Sequence, residues 1–247
     1  MKRNICIILQ YDGTRYSGWQ RQGNTDNTIE GKLQNILCSM TDGQNIEIHG
    51  SGRTDAGVHA VGQVANFHID TDMTDEEVKA YFNKFLPSDI KVLTVNTVND
   101  RFHSRLNAKE KTYIYRIDNS DKADVFMGRY TWWYNRKLDI ELMRKVADVF
   151  IGEHDFMSFS DMKNNKKSTV RTIYNIKITQ KDDIISIEYT GNGFLYHMVR
   201  KLSAALVEVG SNNISIQQII DILEKKDRQA FKLLAPAKGL TLMEVRY

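Results

Sequence analysis

Cysteine and proline are scarce in this chain of 247 residues, which contains two of each. Cys6 and Cys38 lie among apolar residues, so we expect buried free thiols rather than a disulfide. The sequence has no C-x-x-C pair and no Cys/His cluster, which argues against a structural zinc site. Proline occurs only at Pro87 and Pro236, and low-complexity segments are absent.

Long apolar runs are also missing. No segment approaches the roughly 18 consecutive apolar residues of a membrane-spanning helix. The first four residues, Met-Lys-Arg-Asn, lead straight into a short apolar strand and not into the apolar core of a signal peptide. We therefore predict a cytoplasmic protein with no membrane segment.

Neither sign of charge dominates the sequence. The 34 Lys and Arg residues exceed the 31 Asp and Glu residues by three, which permits a polyanionic partner but does not require one. With 41% hydrophobic and 26% charged residues, the composition is that of a folded soluble protein. The length suits one large domain or two small ones.

The first half of the chain alternates between strand and helix patterns. Apolar periodicity predicts strands at 4–11, 46–50, 63–69 and 91–98. A helix between the first two strands carries apolar residues at helical spacing from Ile29 to Met40. A second helix begins at a Thr74/Glu77 capping box and is closed by Pro87. The resulting order, β-α-β-β-α-β, is the split βαβ or ferredoxin-like pattern.

The second half roughly repeats this arrangement. Strands are predicted at 112–117, 170–179, 184–189 and 239–247, while Asp139, Gly210 and Ser215 mark helix ends. We therefore predict an α+β fold of two ferredoxin-like halves with antiparallel sheets and a binding cleft between them. The predicted domains are residues 1–105, which carry the loop considered next, and 106–247.

A glycine-rich polar loop, G-S-G-R-T-D-A-G-V-H, occupies positions 50–59 between two predicted strands. Three glycines in eight residues indicate unusual backbone angles or the close approach of another molecule. Asp55, two residues after Arg53, is a candidate catalytic carboxylate. The alternative is a plain turn in which Asp55 hydrogen-bonds to its own backbone.

The loop resembles the G-R-T-D-x-G-V-H signature of the TruA family of tRNA pseudouridine synthases. Further matches follow in the family's order: Y-D-G at 11–13 with Tyr16 and G-W-Q-R-Q at 18–22, F-H-S-R at 102–105, G-E-H-D-F at 152–156, R-T-I at 171–173 and G-F-L-Y-H-M-V-R at 193–200. The resemblance spans nearly the whole chain. The departures are Glu30-Gly31, where the family often has Gln-Glu, and Ala204, where glycine is common.

The resemblance implies an isomerase that converts uridine to pseudouridine at positions 38, 39 and 40 of the tRNA anticodon stem-loop. It also implies a homodimer that binds tRNA in the predicted cleft and requires no cofactor. The reaction breaks the N1–C1′ bond, and the uracil turns and rejoins the sugar through C5. No redox change occurs, so no electron carrier is needed.

The resemblance also assigns site residues. Asp55 would be the nucleophile, attacking either the sugar or the base, and Arg200 would pair with it. Tyr113 would stack on the target uracil and could help to remove the C5 proton, although Tyr113 and Tyr115 share one strand face and both could be core residues. Arg53 would fill the space of the flipped base.

Other basic residues are expected to contact RNA phosphates without reading sequence. For His59 a structural role is equally open, and for the run at 163–171 a solvated loop is the alternative. The candidates for RNA contact are Arg15, Arg21, His59, Arg105, Lys166, Lys167 and Arg171.

Parts of the sequence also fit two other functions. A non-catalytic RNA-binding module on a ferredoxin-like sheet would show an RNP1-like sequence, and none is present. An aspartic protease is suggested by Asp55-Ala56-Gly57, but such enzymes need two carboxylate loops that share a proton, and the sequence has one.

Overall fold

The computed structural model describes residues 2–23, 25–162 and 168–247. In chain order, the helices and strands are β1 (Lys2–Tyr11), α1 (Ile29–Met40), β2 (His49–Gly50), β3 (His59–Asp70), α2 (Asp75–Phe85), β4 (Ile90–Val98), β5 (Glu110–Asp118), β6 (Trp132–Trp133), α3 (Ile140–Val149), β7 (Gly152–Asp155), β8 (Val170–Lys181), β9 (Ile184–Gly191), α4 (Met198–Gly210), α5 (Ile216–Lys225) and β10 (Leu240–Arg246). The predicted α+β class is confirmed.

The chain divides into two compact units. The first contains Met1–Lys109 and Leu242–Tyr247, and the second contains Glu110–Thr241. This division differs from the expected one after residue 105, chiefly because the C-terminal strand belongs mostly to the first unit. There β10 lies beside β3, where Gly62 approaches the Met243 carbonyl so closely that a Cβ would lie 2.3 Å from its oxygen.

The sheet of the first unit has the order β4-β1-β3-β10, with β2 paired to β3. β1 is antiparallel to both of its neighbours, and Ile5 stands opposite Phe67. The Phe67 ring contacts Phe82 of α2, so the apolar face of the sheet is covered by this helix. Asn83 ties α2 to β4 through two 2.9 Å hydrogen bonds with the Val92 backbone.

The second unit contains the strand order β5-β9-β8-β7, and β6 pairs in parallel with β5. The antiparallel β5/β9 and β8/β9 pairs bury Tyr115, Ile187 and Tyr189. Helix α4 is buried on nearly all sides. It packs against α3 at Gly210, where a Cβ would lie 2.7 Å from Met143 Cγ.

The predicted helix starts are confirmed. Thr74 and Glu77 form the expected capping box, and the Asp139 side chain accepts a hydrogen bond from the Leu142 N–H. Ser215 begins α5 with a capping box of its own. These local hydrogen bonds satisfy backbone donors that the first helical turn leaves unpaired, each contributing about 1 kcal/mol.

Some strand predictions were wrong in extent. Of the strand expected at 46–50, only β2 forms, where His49 and Gly50 pair with Asn66 and Ala65 of β3. β6 and β7 were not predicted, since runs of two and four residues are too short to show alternation.

Cys6 and Cys38 are free thiols, as expected, but both are half-buried rather than buried. Burial raises the pKa of the Cys6 thiol to about 11. Within the ranges that the structure describes, no helix combines the length and apolarity needed to cross a membrane.

Candidate active site

The loop at 50–59 is held at its start by a buried side chain from β3. The Gln63 carboxamide accepts a 2.6 Å hydrogen bond from the Ser51 hydroxyl and donates one of 3.1 Å to the Gly52 carbonyl. Both Gln63 and Ser51 are fully buried. Because buried polar groups are costly to leave unpaired, this interaction fixes the path of the loop before it reaches Asp55.

The middle of the loop is fixed at Thr54. Its side-chain oxygen lies 2.8 Å from the Tyr11 hydroxyl, and its carbonyl accepts a 3.0 Å hydrogen bond from the Trp19 N–H. Burial raises the pKa of Tyr11 to about 12. The phenol therefore stays neutral and serves as a hydrogen-bonding group.

Asp55 is the first residue of a tight turn that ends the loop. The Asp55 carbonyl accepts a 3.1 Å hydrogen bond from the Val58 N–H, and Gly57 has a φ of 79°. A left-handed residue at this third position is the mark of a type II turn, which glycine adopts without strain. The Asp55 side chain itself is half-buried on this fixed backbone.

Two glycines of the N-terminal motif allow close approach to the loop backbone. A Cβ on Gly13 would lie 2.0 Å from the Val58 oxygen, and one on Gly18 would lie 2.7 Å from the Thr54 oxygen. Trp19 packs against Gly50 in the same way, at 2.6 Å from an added Cβ. The Y-D-G and G-W segments therefore support the Asp55 loop, a role that sequence reasoning missed.

His59 is the last residue of the loop and the first of β3, and it is 4% exposed. Its Nδ1 accepts a 3.0 Å hydrogen bond from the Gly13 N–H, and an Asp12 carboxylate oxygen lies 3.2 Å from the same nitrogen. One ring nitrogen cannot accept from an amide and donate to a carboxylate at once. The Gly13 hydrogen bond therefore requires an unprotonated Nδ1, and the burial of the ring favours the structural role over RNA contact.

Arg53 is exposed at the side of the loop. Its positive charge acts on nearby Glu30. Burial raises the pKa of Glu30, and the Arg21 N–H and the Arg53 charge offset only part of that rise. The Glu30 carboxylate accepts a 2.7 Å hydrogen bond from that Arg21 N–H. Arg53 and Asp55 both belong to the 50–59 loop of the first unit.

Three arginines of the first unit are candidates for RNA contact, and all three lie at the surface. The Arg15 side chain is 75% exposed and lies 3.5 Å from Asp89, and Arg21 lies 3.3 Å from Asp26. Arg105 is exposed as well. Both side chains of the Arg21–Asp26 pair are exposed, and ion pairs of this kind are weak, so a phosphate could replace Asp26 at little cost.

Tyr113 and Tyr115 lie on one face of β5 in the second unit. Tyr113 stands opposite Tyr189 and meets Phe194 edge-on, with ring centroids 5.3 Å apart. The Tyr115 ring is fully buried, and its hydroxyl donates a 2.8 Å hydrogen bond to the Pro236 carbonyl. Tyr115 is therefore a core residue, while Tyr113 is also largely buried.

Arg200 is the third residue of α4, also in the second unit. Its Nε donates a 2.8 Å hydrogen bond to the Ala235 carbonyl. Burial raises the pKa of Tyr115 well above its usual value, and the charge of Arg200 opposes that rise.

Arg171 is the second residue of β8 and is half-buried. It donates hydrogen bonds to the carbonyls of Ser168 and Val170, at 3.1 and 2.6 Å, and burial lowers its pKa. Lys166 and Lys167 lie outside the described residues. In the described part of the chain, no three His, Cys, Asp or Glu residues are grouped so that they could hold a metal ion.

The fold and the site define an α+β protein that presents a carboxylate on a rigid glycine-rich loop. Residues 7–107 and 146–247 match the family model described as tRNA pseudouridine synthase. The chain belongs to this family.

Relatives match along almost the full length of the chain. A Bacillus sp. strain KSM-64 protein named tRNA pseudouridine synthase A is 49% identical, and a Bacillus cereus protein named tRNA pseudouridine synthase A 2 is 45% identical, each over 99% of both chains. A Clostridium tetani protein named tRNA pseudouridine synthase A 1 is 48% identical over 99% of this chain and 100% of its own.

Likeness to solved structures is weaker. A chain of an archaeal box H/ACA sRNP Nop10-Cbf5 complex gives a TM-score of 0.38 at 11% identity, covering 95% of this chain and 58% of that one.

Proposed function

We propose that this protein isomerises uridine to pseudouridine in tRNA, at positions 38, 39 and 40 of the anticodon stem-loop. The observation that carries the proposal is the 49% identity, over 99% of both chains, to a protein named tRNA pseudouridine synthase A. Asp55, in the loop that resembles the family's catalytic signature, is the proposed nucleophile.

The chemistry needs only the substrate and the enzyme's own side chains. The Asp55 carboxylate attacks either the sugar carbon C1′ or the pyrimidine ring, and the N1–C1′ bond breaks. The uracil then turns, C1′ bonds to C5, and the bond to the Asp55 carboxylate breaks, which restores the free carboxylate. The proton on C5 leaves while N1 gains one. Product and substrate are isomers, so atoms and electrons balance in either route.

The mounting of Asp55 supports this role. The preceding residues are fixed by Gln63 and Tyr11, and the turn after Asp55 is closed by the Val58 N–H. A nucleophile held in one position before the substrate arrives avoids the entropy cost of orienting it during the reaction.

Three further residues are proposed to act on the target nucleotide. The base must leave its stack, which costs a few kcal/mol, and stacking on Tyr113 would offset this cost. Arg53, exposed at the side of the loop, would fill the space that the base vacates. Arg200 would supply a positive charge to hold the Asp55 carboxylate ionised and oriented.

The binding partners are proposed on the same basis. We propose that Arg15, Arg21, Arg105, Arg171, Lys166 and Lys167 contact tRNA phosphates. His59 would reach RNA only if its buried ring moved, so its proposed role is support of the loop. A homodimer and a cytoplasmic location are proposed from the resemblance.

The test compares wild type with Asp55→Asn on unmodified tRNA, with pseudouridine mapped by chemical sequencing. We expect wild type to modify positions 38–40 and Asp55→Asn to form no product while still binding tRNA. The matched control is Asp121→Asn, which changes an exposed aspartate in the other unit and should leave the yield unchanged. Folded wild type that binds tRNA without forming product would instead favour a non-catalytic RNA-binding module.

A further inference from the structure

A pair of stacked rings precedes helix α4. Tyr196 and His197 lie with ring centroids 3.7 Å apart and planes inclined by 26°. Tyr196 is 54% exposed, although large aromatic side chains are usually covered. One face of the Tyr196 ring is therefore occupied by an imidazole while much of the side chain meets solvent.

The imidazole is held in place by a carboxylate. An Asp161 oxygen lies 2.7 Å from Nδ1 of His197, and since a carboxylate only accepts, Nδ1 carries the proton. His197 has a φ of 64°, a left-handed conformation uncommon for residues other than glycine. The Asp161 N–H donates a 3.1 Å hydrogen bond to the Tyr196 carbonyl, which fixes the backbone of the pair.

The carboxylate is in turn held by a buried lysine. Nζ of Lys201 lies 2.7 Å from the other Asp161 oxygen and donates a 2.8 Å hydrogen bond to the Phe231 carbonyl. Lys201 is 2% exposed. Burial alone would raise the pKa of Asp161, but hydrogen bonds from Lys201 and His197 outweigh it and lower that pKa, so the carboxylate stays ionised.

We propose that Tyr196, supported by His197 and Asp161, is a stacking platform for one unpaired base of the RNA. Every nucleobase has a π-face, and an exposed aromatic ring binds it without reading sequence. Because the Tyr196 ring already stacks on His197, it should lose less rotamer freedom on binding than an exposed tyrosine with no such contact. The inference rests on the proposed function, because it requires an RNA substrate.

The alternative is that the network only anchors the start of α4. That role needs Asp161, His197 and Lys201 but not the ring of Tyr196. Replacing the ring while leaving the ionic contacts intact therefore separates the two roles. Tyr174 of β8 provides a matched control, since it is 48% exposed and no ring contact is seen for it in the described part of the chain.

The experiment titrates wild type, Tyr196→Leu, Tyr196→Phe and Tyr174→Leu with an anticodon stem-loop RNA. The RNA carries 2-aminopurine at one loop position at a time. We expect wild type to change the 2-aminopurine fluorescence strongly at one loop position, and Tyr196→Phe to give the same change. Tyr196→Leu should lose this fluorescence change and bind the RNA about tenfold more weakly. Tyr174→Leu should match wild type.

A further variant, Asp161→Asn, tests the support of the ring. It should bind RNA less tightly than wild type, and adding Tyr196→Leu to it should cause little further loss, because the two residues act through one platform. Equal signal and affinity for wild type and Tyr196→Leu, with pseudouridine still formed, would overturn the platform but not the proposed function. Wild type that binds no RNA would overturn both.

Discussion

The Asp55 loop and the start of α4 each hold side chains with a proposed function in place, but by different interactions. The hydrogen bonds from Gln63 and Tyr11 that hold the Asp55 loop join neutral groups, and Gly13 and Gly18 pack on its backbone. Before α4 the contacts are ionic, with Asp161 between His197 and Lys201. Hydrogen bonds between neutral groups depend little on pH or salt, whereas ionic contacts depend on both, so the contacts of Asp161 should weaken in acid.

The largest effect should come from filling the space beside the loop. In Gly13→Ala the new Cβ would lie 2.0 Å from the Val58 oxygen, so the loop or β1 must move. We expect a loss of about 3 kcal/mol or more in the free energy of unfolding, together with loss of pseudouridine formation. Urea unfolding and tRNA modification measure the two effects.

The control for this change is Gly23→Ala, where nothing lies within 4 Å of the added Cβ. It should behave as wild type. Wild-type activity in Gly13→Ala would show that close packing of the N-terminal motif is not what positions Asp55.

The second effect concerns the buried cation. Lys201→Met removes the positive charge beside Asp161 and leaves the Phe231 carbonyl without its donor. We expect the free energy of unfolding to fall by about 2 kcal/mol. This is less than for a fully buried ion pair, because the Asp161 side chain is partly exposed. Thermal unfolding measures it, with the exposed Lys232→Met as control.

The third effect concerns the hydrogen bonds of Gln63 to Ser51 and Gly52. Gln63→Leu leaves the Gly52 carbonyl without its donor and the Ser51 hydroxyl without its acceptor. We expect the free energy of unfolding to fall by about 1.5 kcal/mol. The kcat should also fall, with little change in tRNA affinity. Exposed Gln229→Leu is the control, and a change confined to affinity would argue that Gln63 does not act through Asp55.

These contacts mark how far the sequence could be interpreted. The capping boxes at Thr74 and Ser215 were predictable because their partners are three residues apart. The clamp of Gly52 by Gln63, the approach of Gly13 to Val58 and the burial of Lys201 join residues 11 to 45 positions apart. Periodicity does not report such pairings, so Lys201 had no signal that set it apart from a solvated lysine.

The smallest effect distinguishes the two regions by pH. The hydrogen bonds from Lys201 and His197 outweigh burial, and they lower the pKa of Asp161 below its ordinary 3.8. A carboxylate with a depressed folded pKa stabilises the protein above the unfolded value and loses that contribution as the pH falls through the folded value. Asp161→Asn should therefore be less stable than wild type at neutral pH, and the difference should shrink as the pH falls below 3.8.

Gln63→Leu should show the same deficit in stability at each pH, because no ionisable group is involved. Urea unfolding between pH 7 and about pH 3 measures both variants, and a constant deficit for Asp161→Asn would show that its contacts hold the start of α4 without relying on charge.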